Sequence, residues 1–180
     1  VFMKKVLRRM SRISYAKRLR YDALVRPAYG FCIYNAALLA RALGYPEISV
    51  IEFGVGSGAG LVDVERHVQE VHKELGVGFQ VYGFDTGSGL PKSQDYRDMP
   101  YMWNEGLFSM EGHRVEAKLK LAKLIIGDVR LTSSEFQERF SPAPIGCILF
   151  DLDYYSSTMS AFQIFDTSPA GYLPRVFCYF

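Results

Sequence analysis

Cysteine is sparse in this chain: Cys32, Cys147 and Cys178 lie far apart and form no CxxC pair. Each sits among apolar or aromatic neighbours, which implies buried reduced thiols rather than a disulfide framework or a cysteine metal cage. Long apolar runs are missing as well. None approaches the roughly 20 residues of a membrane-spanning helix, and the start has no apolar stretch with a small-residue cleavage site, so no membrane span and a cytoplasmic location are expected. There is no internal repeat, no low-complexity segment and no GxxxxGK[ST] loop, the last of which argues against triphosphate binding on such a loop. Histidines are few, and His67 and His72, five residues apart, share no helical face on which to hold a metal.

What is present fits one α/β domain. The 180 residues are 49% hydrophobic and 22% charged, enough for a full core. The net charge of +2 hides an asymmetry, because residues 1–26 hold nine Lys or Arg against the single acid Asp22. Such an arm can serve nucleic acid or anionic lipid. However, Phe2, Val6, Met10 and Ile13 recur at helical spacing, which predicts an amphipathic helix packed on its own domain or, in a homodimer, on a second subunit. Aromatic residues do not interleave with these charges as they do on a single-strand binding platform, so no nucleic-acid partner is expected.

The periodicities divide the chain into an N-terminal helical arm and cap, residues 1–46, and a domain from 47 to 180. Tyr29 to Leu43 reads as a helix stopped by Gly44, with Pro46 beyond. Ile48 to Phe53 reads as a strand that runs into glycines. Leu61, Val64, Val68, Val71 and Leu75 then follow at helical intervals, and Phe79 to Phe84 reads as a second strand ending at Asp85. Two strands joined by such a helix run parallel with a right-handed crossover, so the expected fold is a doubly wound, mostly parallel Rossmann-like sheet with N-terminal helices. Thr86 to about Gly106 reads as a long binding loop or lid. Phe108 to Ala122 reads as a helix with Glu116 paired to Lys120. Leu124 to Ile126 and Ile145 to Phe150 read as further strands, separated by a helix from Ser133 to Phe140. After a helix around Thr158 to Phe165, Val176 to Phe180 reads as a fifth strand. A hydrophobic strand at a terminus is an aggregation liability, so further C-terminal strands are expected to be missing from this chain.

The strand ends carry the chemistry, since ligands in an open parallel sheet bind at the carboxyl ends of the strands. Four of those ends bear acids or glycines: Glu52 to Gly60, Asp85, Gly127-Asp128 and Asp151. The first turn, VIEFGVGSGAG, offers close backbone approach and amide groups at a helix start. Gly54, Gly56 and Ala59 also satisfy the loose dinucleotide pattern GxGxx(G/A). Glu52 separates the two readings, because a pyrophosphate gains nothing from a neighbouring carboxylate, whereas the ammonium and sulfonium of S-adenosylmethionine do. Asp85 is placed to accept both ribose hydroxyls, and Asp128 either meets an adenine amino group or caps the helix after it. In ILFDLDYYSST, Asp151 and Asp153 are candidate ligands for a hard divalent ion such as Mg²⁺.

Together these segments resemble class I methyltransferases, and more narrowly the macrocin O-methyltransferase family of natural-product sugar methylases, from about Tyr29 to the end. VIEFGVGSGAG looks like the fold's acidic-GxGxG motif, VYGFDTGSGLP is similar to the family's FDSFEGLP stretch, and FDLDYYSST matches its DxDxYxST element. Thr86-Gly87-Ser88 replaces the family's Ser-Phe-Glu. The resemblance implies cofactor binding by Glu52, Gly54, Gly56 and Asp85, with Ser57, Gly58, Thr86, Gly127 and Asp128 in the same set, and a Mg²⁺ ligand in Asp151. The implied reaction is attack by a hydroxyl of a small acceptor on the sulfonium methyl, with Asp151 and His113 as the candidate catalytic residues. A nicotinamide-dependent oxidoreductase and a non-catalytic binding module remain as alternatives.

Overall fold

The computed structural model describes residues 13–180; Phe2, Val6 and Met10 of the expected amphipathic helix lie outside the described residues. Five strands form one all-parallel sheet: β1 (Glu47–Phe53), β2 (Gly78–Asp85), β3 (Lys123–Ile126), β4 (Ile145–Phe150) and β5 (Tyr172–Tyr179), in the order β3-β2-β1-β4-β5. The order reverses between β1 and β4. That is the switch point at which an open α/β sheet leaves a crevice for a ligand.

β1 is buried along nearly its whole length because helices cover both faces of the sheet. On one face lie α1 (Tyr15–Arg20), α2 (Pro27–Leu43) and α3 (Ala59–Leu75), packed over Ile48, Val50, Val81, Cys147 and Leu149. The short α4 (Gly112–Glu116) adds Val115 to that layer. On the other face α5 (Val129–Phe140) and α6 (Tyr155–Ala161) cover Ile51, Phe53, Tyr82, Phe84, Ile148 and Phe150. Among the described residues, no helix is long and apolar enough to cross a membrane.

The described end of the basic arm packs on its own domain. Ser14 caps α1, Arg18 pairs with Glu70, and the Tyr15 hydroxyl meets His67 Nδ1 at 2.8 Å. His67 Nε2 lies 2.9 Å from the carbonyl of Val25. With Nε2–H donating there and Nδ1 accepting from Tyr15, a neutral His67 is fully used in tying α1 to α3. Burial lowers its pKa further, which keeps it neutral.

Three elements depart from the sequence-based expectation. The helix expected over Phe108 to Ala122 is helical only over Gly112–Glu116, because Glu65 of α3 accepts the amides of Lys120, Leu121 and Ala122 and pulls that segment out of the helix. The pairing of Glu116 with Lys120 along one helix therefore does not arise. α5 starts at Val129 rather than Ser133, because Asp128 caps it there. β5 starts at Tyr172 and tolerates Pro174 because it forms a margin of the described sheet, where a missing N–H breaks no ladder on the outer side.

Candidate functional site

The two-residue period of a strand puts three strand-end acids on one face of the sheet. Glu52 shares its face with Ile48 and Val50, and Asp151 follows Cys147 and Leu149 on the same side. Asp85 follows Val81 and Gly83, and a side chain at Gly83 would meet Leu61 and Val55 of that layer. All three acids thus point toward α2 and the start of α3. They line a cleft of about 450 Å³, inside the range of roughly 300–1,000 Å³ typical of small-molecule sites. Among the described residues lining it, the charged groups are the carboxylates of Glu52, Asp85, Asp151 and Asp153 and the single guanidinium of Arg26.

The glycine turn is shaped by its acidic neighbours. Gly54 has φ +88°, and a Cβ there would overlap the carbonyl oxygen of Asp151, so β1 and β4 approach too closely for any side chain. A Cβ at Gly60 would overlap Glu52 Oε1, so the first turn of α3 sits directly on that carboxylate. Asp85 Oδ2 accepts the amides of Val55 (3.0 Å) and Gly56 (2.9 Å), and Oδ1 accepts that of Gly87 (2.7 Å). The amides that a dinucleotide-binding turn would present to a pyrophosphate are therefore taken by a carboxylate of the protein itself.

Glu52 is 0% exposed, and neither of its carboxylate oxygens has a hydrogen-bond partner. An unsatisfied buried polar group costs about 1–3 kcal/mol, more when charged, so this pair of oxygens calls for a protonated carboxyl or an incoming cation. Burial pushes the Glu52 pKa up to about 8; the nearby Tyr29 hydroxyl and the Arg26 charge act in the opposite direction, while Asp151 and Asp63 add to the rise. Tyr29 itself donates to Asp151 Oδ2 at 2.8 Å. Burial, together with Glu52 and Asp151, raises its own pKa far above the phenolic value, which keeps it a donor.

Arg26 precedes Pro27 and takes a left-handed backbone (φ 43°, ψ 63°) at the start of α2. That conformation costs a non-glycine residue on the order of 1 kcal/mol. It carries the guanidinium over the Tyr29 ring, 3.6 Å from Asp63 and 3.6 Å from Asp151 Oδ2. Both contacts are longer than hydrogen bonds.

The segment after β2 closes on itself: the Leu90 amide donates to the Leu107 carbonyl and the Gly106 amide to the Leu90 carbonyl, both at 2.8 Å, so the ends of the 90–107 loop are pinned together. Its anchor is Asp98, fully buried, whose carboxylate accepts both the amide and the hydroxyl of Ser156 in the first turn of α6 at 2.8 Å. Leu90, Pro91 and Phe108 of this region line the cleft. Asp98→Ala is expected to cost about 2 kcal/mol, the worth of a strong helix cap, and to speed proteolytic cleavage within residues 90–107 at least several-fold under native conditions. An unchanged cleavage rate would show that the anchor does not hold the loop.

Of the residues singled out in the sequence, Glu52, Gly54, Gly56, Ser57, Asp85, Thr86, Gly127, Asp151 and Asp153 do line the cleft. Three do not. A side chain at Gly58 would face Val115 of α4. Asp128 is the cap of α5, its carboxylate accepting from the Arg130 amide and guanidinium, as the helix-cap alternative expects. His113 stands exposed on α4, away from the cleft lining. A metal role for Asp151 and Asp153 also fits poorly. Among the described residues no group of three or more His, Cys, Asp or Glu gathers as a cage, and Asp151 Oδ2 already holds the Tyr29 hydroxyl with a guanidinium nearby. Burial, helped by the charge of Asp151, raises the Asp153 pKa. Arg26 and Tyr154, which line the cleft, and Tyr29, which donates to Asp151 behind it, were not singled out by sequence reasoning; the left-handed turn before Pro27 has no signature in the residue order.

No protein-family model matches the chain, and no curated protein matches it. Solved structures do. The crystal structure of CalS11, a calicheamicin methyltransferase, superposes with a TM-score of 0.55 at 22% identity, covering 94% of this chain and 73% of that one. An apo structure of CalS11, the TDP-rhamnose 3'-O-methyltransferase of calicheamicin biosynthesis, matches at a TM-score of 0.40 and 21% identity, over 91% of this chain and 69% of that one. At 22% identity the first likeness speaks for the fold: this chain has the Rossmann-like fold seen in that methyltransferase.

Proposed function

We propose that the chain is an S-adenosylmethionine-dependent O-methyltransferase acting on a hydroxyl of a small molecule such as a natural-product sugar. The observation that carries this is Glu52: a fully buried carboxylate with no partner, in the wall of a cleft that three further carboxylates make acidic. A cationic adenosine ligand answers that charge, and a phosphate-bearing one opposes it. The occupation of the Val55 and Gly56 amides by Asp85 supports the same choice over a nicotinamide dinucleotide. The motif resemblance and the fold shared with a calicheamicin methyltransferase point in the same direction.

Bound S-adenosylmethionine would supply an electrophilic methyl group. The chain's part is then orientation and proton handling. Glu52, beneath the first turn of α3, would hold the cationic end of the ligand, and Asp85, with the acceptor capacity its three amide bonds leave, would take ribose hydroxyls. Asp151 keeps one carboxylate oxygen on Tyr29, which leaves the other to receive the proton of the acceptor hydroxyl, whose oxygen would take the methyl group as the S–CH3 bond breaks and S-adenosylhomocysteine leaves. Leu90, Pro91 and Phe108 add apolar surface to the lining of the cleft. No step is assigned to a magnesium ion, given the donor set around Asp151.

Calorimetric titration with S-adenosylmethionine, S-adenosylhomocysteine and NADH, each also scored by thermal shift, tests the proposal. Both sulfur ligands are expected to bind and to raise Tm by several degrees at saturating concentration, with no response to NADH. The reading fails if NADH binds better than either, or if a cofactor-loaded protein transfers no tritiated methyl group to any member of a panel of hydroxylated glycosides, with or without magnesium.

A further inference from the structure

S-Adenosylmethionine ends in an α-amino acid, so a site that binds it has to meet a carboxylate as well as an ammonium. We propose that Arg26 is the residue that binds that carboxylate, with Glu52 taking the neighbouring ammonium, so that the two side chains together select ligands that carry a whole amino-acid end. This rests on the methyltransferase reading and assigns a role that the glycine turn and the strand-end acids do not cover.

Three observations lead to it. Arg26 and Glu52 line the same cleft, and each lies within electrostatic reach of the other. Arg26 is the only cation among the described residues of that lining, in a wall that otherwise carries four carboxylates, so an anionic group entering the cleft has one place to go. Its guanidinium is ion-paired with Asp63 and Asp151 at 3.6 Å, contacts too long for hydrogen bonds, so its N–H donors are not spent on them and the planar fork suits bidentate pairing with a carboxylate. A lone carboxylate would be repelled by Asp63 and Asp151. One that arrives on a zwitterion brings its own compensating charge to Glu52, and this makes the arrangement selective for the pair of groups rather than for an anion.

The test uses three ligands that share the adenosyl group: S-adenosylmethionine; its decarboxylated form, which keeps the ammonium and the sulfonium; and 5'-methylthioadenosine, which lacks the amino-acid end. Affinities are measured by titration calorimetry for the natural chain and for Arg26→Gln and Arg26→Lys. The natural chain is expected to prefer S-adenosylmethionine over the decarboxylated ligand by about 10- to 100-fold, the worth of one charge-assisted pair. In Arg26→Gln that preference should shrink to within about 3-fold while 5'-methylthioadenosine binds as before, and Arg26→Lys should retain part of it because a point charge remains. The inference is overturned if the natural chain does not distinguish the first two ligands, a result that needs no variant to fold. It is equally overturned if Arg26→Gln keeps the preference or weakens all three ligands alike. A natural chain that binds none of the three overturns the methyltransferase reading itself, whereas one that binds S-adenosylmethionine and 5'-methylthioadenosine without an effect of Arg26 overturns only the assignment of this residue.

Discussion

Asp85→Ala is expected to lower stability by about 3 kcal/mol and cofactor affinity by on the order of 100-fold. The carboxylate accepts from Val55 and Gly56 of the glycine turn and from Gly87 beyond β2. Each such bond to a charged acceptor contributes about 1.5–3 kcal/mol, and water recovers part of the loss at a half-buried site. For a chain of this length the stability loss corresponds to a drop in Tm of roughly 6–12 °C. The affinity loss has two sources, the ribose hydroxyls left without their acceptor and a turn no longer held in shape. Thermal denaturation and calorimetry on the same sample separate them, and Asp85→Asn, which retains one acceptor oxygen, should fall between. Unchanged stability with lost binding would mean that the carboxylate does not hold the turn.

Glu52→Gln is expected to flatten two pH profiles in the range where the natural chain slopes. The folded pKa of about 8 lies above the ordinary value of 4.5, so between these values the folded chain holds a proton that the unfolded chain has released. Stability then falls as pH rises from about 4.5 to about 8 and levels off on either side, by up to about 5 kcal/mol at roughly 1.4 kcal/mol per pH unit. A cationic ligand reverses the preference by favouring the carboxylate. Cofactor affinity of the natural chain should therefore rise as pH approaches 8 from below, with a proton released on binding in that range, visible as a dependence of the binding heat on the buffer. In Glu52→Gln both slopes from this group disappear, and affinity drops to a weak, pH-independent value. A natural chain whose cofactor affinity does not change between pH 6 and 8 would show that the ligand's positive charge does not reach Glu52.

The alternating and helical patterns made the architecture legible. Ile48 to Phe53 and Ile145 to Phe150 read as buried strands because strands covered on both faces are apolar almost throughout, and the glycines after Phe53 marked the crossover. The segment around Phe108 to Ala122 misled because Val115, Leu119 and Ala122 keep a helical interval, Val115 buried and the other two partly so, yet a single carboxylate from a distant helix, Glu65, outweighs the local preference. Asp98 is a similar case: nothing in the polar loop around it signals that it caps a helix 58 residues on.

The sequence by itself determined the parallel α/β fold, the position of the glycine turn and the acids at the ends of three central strands, because these follow from residue periodicity and chain-local geometry. Only the tertiary structure decided what those acids do. It buried Glu52 under the first turn of α3, turned Asp85 onto the glycine-turn amides, gave Asp151 to Tyr29 and Arg26, and withdrew Asp128 and His113 from the cleft lining. Charge and hydrogen bonding act through space, and the partners that set them are brought together by packing between elements far apart in the chain.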